Sequence, residues 1–289
     1  LLAEAYEQTG QPARAIESWV RYLSAVPDDR TARRQLAELH RRLGQWAAAL
    51  EHARALATAE PDDLDAELLL LECRVRTAGT AAEADSVAQR LAELRRELPD
   101  RVAVPLLQAA LAWASQKPAD AERLLEEAVE TCSEPLAAEL RLVELFATTG
   151  RLDEARAVSV AACERHPAVA DVWQSRASVE LAAGRSDAAQ AALLAGLDQV
   201  QDPAQREPLE RRLALLALQS GDVDSGVQRL QRLADADPAN LPVRDLLLRV
   251  PQVAADPARA QRRIEEMKAA EGSNSGIWWR LHQARMALN

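Results

Sequence analysis

Apolar residues recur along this chain at three- and four-residue spacing, as in Leu36, Leu39 and Leu43, then Leu50, Ala53, Leu56 and Ala57. An α-helix turns about every 3.6 residues, so this spacing lays one apolar stripe along each of two successive helices. Between the stripes stand Gly, Asp and Pro, which interrupt helices and cap them. The pattern predicts a succession of one-sided helices.

The interruptions keep a period. Gly10, Gly44, Gly79, Gly150, Gly184 and Gly221 are separated by 34, 35, 71, 34 and 37 residues, and the double interval leaves room for a unit whose glycine is replaced near Gln116. Five positions after each glycine comes a small residue: Ala15, Ala49, Ala84, Ala155, Ala189 and Gly226, with Ala121 and Ala260 in the two units that lack the glycine. Prolines at 27, 61, 99, 135, 167, 203 and 238 close successive units. Each marker has a mechanical reason. Glycine ends the first helix of a pair by adopting left-handed angles without a Cβ penalty. The small residue lies where the axes of the two helices approach. Proline stops the second helix, and acids beside it, as in Pro27-Asp28-Asp29 and Pro61-Asp62-Asp63, cap the next one. Neither helix can bury its stripe alone, so pairs stack on pairs into a superhelix with a concave and a convex face.

Segments such as Leu2-Ala3-Glu4-Ala5-Tyr6-Glu7-Gln8-Thr9-Gly10-Gln11-Pro12-Ala13-Arg14-Ala15-Ile16 and Gly150-Arg151-Leu152-Asp153-Glu154-Ala155 resemble the tetratricopeptide repeat, in the manner of bacterial multi-repeat arrays. The resemblance covers the whole chain. It implies an all-α fold, a right-handed superhelical solenoid of antiparallel helix pairs over residues 1–289. About eight repeats are expected (1–29, 30–63, 64–100, 101–135, 136–169, 170–205, 206–239, 240–272), with a terminal helix at 277–288. Departures from the pattern are expected at the long unit ending at Pro99, around Gln116-Lys117-Pro118, and at Pro251 near the end of a first helix. Gly272-Ser273-Asn274-Ser275-Gly276 reads as a flexible connector. Trp278 and Trp279 are expected either to cap the last repeat or to mark a cut surface from which further repeats were removed.

In this family the first helix of each pair lines the inner groove. Carried onto this chain, the inner positions are Arg34, Glu38 and Arg41, then Leu69, Cys73 and Arg76, then Leu106, Ala110 and Trp113. Leu68-Leu69-Leu70-Leu71 spans more arc than one buried face can use, so part of it is expected to look into the groove. Trp113 shares a helix face with Leu106 and Ala110. It either packs within the solenoid or anchors a partner beside aliphatic walls. The clamp of Lys, Arg and Asn that some family members use for a C-terminal carboxylate is not matched, because Arg34 and Arg211 stand without Asn partners.

Composition narrows the function. With 48% apolar and 28% charged residues but only 3% aromatic, the chain suits helices, and the residues favoured by sheets are sparse. A formal net charge of −10 argues against nucleic acid, which requires an excess of Lys and Arg to displace phosphate counterions. No segment reaches the roughly 18 to 20 uninterrupted apolar residues of a membrane helix, so no membrane insertion is expected within this sequence. Leu1 enters in the middle of a helical pattern, which places any targeting segment outside it. Cys73, Cys132 and Cys163 form no disulfide framework, which mildly favours a reducing, cytoplasmic compartment over a periplasmic one.

Catalytic patterns are missing: no phosphate-cradling glycine loop, no Gly-x-Ser-x-Gly, no His-Glu-x-x-His and no Cys-x-x-Cys. The four histidines, His40, His52, His166 and His282, are read as falling in different units. Cys163 with His166, joined by Cys132, offers too few soft ligands for zinc. No metal, cofactor or enzymatic activity is expected. The expected function is a scaffold that binds a protein or peptide segment in its groove. The alternative is a spacer or assembly arm of a larger bacterial envelope or exopolysaccharide-secretion machine.

Overall fold

The computed structural model describes residues 2–8, 11–271 and 276–288, and these are helical with no strand among them. Gly10 and the Gly272–Ser275 part of the expected connector lie outside the described residues. The chain groups into two compact units, divided after Val158, with Glu7 and Gln8 grouped with the second.

The first unit holds α1 (Leu2–Gln8), α2 (Pro12–Ala25), α3 (Arg30–Arg42), α4 (Trp46–Ala59), α5 (Leu64–Thr77), α6 (Ala81–Glu97), α7 (Ala103–Ala114), α8 (Pro118–Thr131) and α9 (Leu136–Thr148), with the division falling inside α10 (Leu152–Arg165). Starts are set by side chains. The Asp29 carboxylate accepts the Ala32 N–H at 2.9 Å and that of Asp63 accepts the Ala66 N–H at 3.0 Å, satisfying amides that a helix start leaves without a backbone acceptor. Those bonds hold both carboxyls below their ordinary pKa.

Stops are set by one residue with left-handed angles. After α3, Gly44 has φ +69°, its N–H reaches the Arg41 carbonyl at 3.0 Å, and the Gln45 N–H reaches that of His40 at 2.9 Å. The same closure follows α7, where Gln116 replaces the glycine as expected and takes φ +59° itself. Gln116 N–H then meets the Trp113 carbonyl and Lys117 N–H that of Ala112, each at 2.9 Å. Gly79 departs from the expectation, since its φ is not left-handed. Here Glu83 accepts the N–H groups of both Gly79 and Thr80, at 3.0 and 3.1 Å, so a capping box makes the turn instead. The helix it starts, α6, has 17 residues against 14 in α4 and α8, which accounts for the long unit.

From α2 to α9 each helix packs on the next, and the first helices of neighbouring pairs also touch, α5 with α7 and α7 with α9. Ala15, Ala49, Ala121 and Ala155 are buried where the paired axes approach, while Ala84 is half-buried at the start of the long α6. Two cores hold α3 to α7: Ala37, Ala49, Ala53, Leu56 and Ala66 around Cys73, and Leu71, Val75, Val87, Leu91, Leu94 and Val104 beside them.

The second unit continues with α11 (Ala170–Ala182), α12 (Ser186–Gln199), α13 (Pro203–Gln219), α14 (Val223–Ala236), α15 (Leu241–Arg249), α16 (Pro251–Ala254), α17 (Pro257–Glu271) and α18 (Trp278–Leu288). Pro203 does not close a unit as expected. It is the first residue of α13, behind the capping Asp202, a position where its missing N–H costs nothing. Pro251 ends α15 early and starts the single turn α16, the irregularity expected there. Trp278 and Trp279 pack on a core of Leu241, Leu248, Ala260, Ile264 and Met267. Glu271 accepts the Ile277 N–H at 2.8 Å and so fixes the start of α18.

Candidate functional site

Four first helices of the first unit, α3, α5, α7 and α9, face a cavity of ≈ 640 Å³, to which α8 adds Ala121 and Leu125. The cavity falls within the roughly 300–1,000 Å³ usual for ligand pockets. Its floor is apolar because these helices carry wider apolar arcs than one core can absorb. All four consecutive leucines pack into the two cores behind the cavity, and Leu68 and Leu69 also border it. Leu106, Leu107 and Ala110 of α7 continue the floor, and Leu145 of α9 ends it. At the rim stands Trp113, 45% exposed. Beside the apolar floor its ring extends a contiguous apolar patch, the kind of surface that marks interaction sites.

Charge rings the floor. Glu38 accepts from Arg41 at 2.7 Å, Glu72 pairs with Arg41 at 3.6 Å, Asp65 with Arg101 at 2.8 Å and Glu144 with Arg141 at 2.7 Å. Arg34 bonds Asp63, the cap of α5. Burial works to lower the Arg41 pKa, but hydrogen bonds and charge from Glu38 and Glu72 carry it above its ordinary value. Arg76 differs from these four. Its guanidinium lies over the Trp46 ring, 5.4 Å from the centroid, and no carboxylate among the described residues pairs with it.

Of the groove positions expected from the sequence, Arg34, Glu38, Leu69, Arg76, Leu106, Ala110 and Trp113 all line this cavity. Cys73 does not. It is fully buried against Ala37, Ala49 and Ala53, and burial pushes its thiol up to about 11, so it is a protonated core residue. Arg141, Leu145 and Thr148 of α9 also line the cavity, one helix beyond the expected positions. Each of the three lies 35 residues after Leu106, Ala110 and Trp113 respectively, so one more step of the period finds them.

The placement of the histidines is corrected by the structure. His40 and His52 do not sit in different units: they belong to the α3/α4 pair, and their rings stack 5.7 Å apart at 10°. His40 Nδ1 lies 2.6 Å from Gln45 Oε1, and burial, followed by the charges of His40 and Arg33, holds His52 below its ordinary pKa. Among the described residues no three His, Cys, Asp or Glu side chains gather as metal ligands. Cys132 packs with Ala128 and Ala138 in the first unit. In the second, Cys163 Sγ donates to the Val172 carbonyl at 3.5 Å, and burial pushes its pKa up to about 11. No described helix is long and apolar enough to cross a membrane.

The sequence profile of the tetratricopeptide repeat matches residues 1–64 and 106–170. None of the curated proteins compared with the chain matches it. Among solved structures, a tetratricopeptide repeat protein from Parabacteroides merdae is similar over 85% of this chain and 94% of its own, with 16% identity and a TM-score of 0.46. A thermophilic protein of the same repeat type from Thermus thermophilus is similar over 62% of this chain and 96% of its own, with 25% identity and a TM-score of 0.48.

Proposed function

The chain belongs to the tetratricopeptide-repeat family, whose fold serves generally as a scaffold for protein–protein interaction, and from that premise we propose that its first unit holds a segment of a partner protein in the groove of α3, α5, α7 and α9. What carries the reading is Trp113, an exposed indole beside an aliphatic floor rather than a packed core residue. Aromatic anchors of this kind concentrate binding energy at interfaces. Leu69, Leu106 and Ala110 supply the walls, and Arg34, Glu38 and Arg76 the orienting charges. The role is binding without chemistry of its own.

Immobilised full-length chain, exposed to extract of its source cell, is expected to retain a partner that mass spectrometry identifies. Trp113→Ser combined with Leu106→Ser should lose that partner while the helical circular dichroism stays unchanged. Unfolding of the double variant would place both residues in the structural core and withdraw the assignment.

A further inference from the structure

Resting on the groove reading above, we infer that the segment it takes is acidic as well as apolar, a polypeptide that sets a side-chain carboxylate against Arg76 next to an apolar residue against Trp113. The groove does not share the acidic excess of the chain. Overall there are 35 Lys and Arg against 45 Asp and Glu, whereas at the groove five arginines face the four lining carboxylates Glu38, Asp65, Glu72 and Glu144 and Asp63 behind them, an even balance. Four of the five arginines are already neutralised by carboxylates. Arg76 is left over.

Its position makes that vacancy specific. Arg41, Arg76 and Trp113 occupy equivalent positions, 35 and 37 residues apart, on the successive inner helices α3, α5 and α7. The Arg76 guanidinium lies over the Trp46 ring, 5.4 Å from the centroid, and a guanidinium held against an aromatic face can still bind a carboxylate through two parallel hydrogen bonds. A basic segment would leave Arg76 facing like charge. Nucleic acid would satisfy Arg76 with phosphate, but the four lining carboxylates and the net charge of −10 repel a polyanion. A segment with single acidic side chains spaced between apolar ones meets both the floor and the one open cation.

Three synthetic peptides of equal length, with Leu and Trp at the same positions, Glu, Gln or Lys at one position between them and Gln elsewhere, test this against the full chain by fluorescence anisotropy, with oligothymidylate as a fourth probe. The Glu peptide should bind on the order of tenfold tighter than the Gln peptide at low salt, and added salt should shrink the gap. Arg76→Gln should abolish the gap. Equal binding of Glu and Gln peptides, a gap that survives in Arg76→Gln, or oligothymidylate binding as well as the Glu peptide would overturn the acidic inference and leave the groove reading standing. Unchanged binding of all peptides by Trp113→Ser would overturn the groove reading itself.

Discussion

Gly196 of α12 lies so close to Trp173 of α11 that a Cβ added to it would stand 2.6 Å from the indole Cγ and 2.8 Å from its Cβ. The ring cannot move away freely, because its Nε1 donates to the Pro167 carbonyl at 2.9 Å. Gly196→Ala should therefore destabilise the second unit. Overpacking typically costs roughly 1–3 kcal/mol, offset by about 1 kcal/mol from the better helix former. The check is the urea midpoint, and a midpoint that rises would mean the two helices part without cost.

Ala155 tests the same principle in the first unit. Its side chain is 0% exposed at the start of α10, so Ala155→Leu should lower stability by about 1–3 kcal/mol. Equilibrium denaturation that matches the parent would show a loose entry to that helix.

At Gln116 the expected sign is opposite. An exposed side chain there holds φ +59°, a conformation that costs an L-residue roughly 1–2 kcal/mol and a glycine almost nothing. Gln116→Gly gives part of this back through the greater freedom of glycine in the unfolded chain. A net gain of up to about 1 kcal/mol, read as a higher melting temperature, is expected.

The stacked His40 and His52 make the α3/α4 pair sensitive to mild acid. A folded-state pKa below the ordinary 6.5 means that the unfolded chain takes up the proton first. The stability contributed is therefore complete above 6.5 and lost as pH falls from there through the depressed folded value. Melting temperature should drop over that window, and His52→Gln should flatten the drop. A profile identical in parent and variant would remove His52 as the cause.

What the sequence discloses is whatever a local backbone rule dictates. Left-handed closures at Gly44 and Gln116, caps at Asp29 and Asp63 and buried Ala49 and Ala121 each follow from a few adjacent residues. Faces decided by packing are harder. Cys73 shares a helix with Leu69 and Arg76, yet it turns to the alanines of α3 and α4, because the crossing of the helices selects which side of an arc is buried. His40 and His52 look unrelated along the chain, and only the hairpin stacks them. Gly79 and Pro203 keep the period of their counterparts but take other backbone roles, since Glu83 and Asp202 supply the local capping.

Each strip of the groove comes from a different helix pair, with Arg41 from one, Arg76 from the next and Trp113 from the third. Helix pairs that meet only their neighbours can be gained or lost as whole cassettes. Recombination that drops or copies one pair would thus shorten or extend the row of recognised side chains like a word losing or gaining a letter, so new ligands become reachable by shuffling modules before any single amino acid has to change.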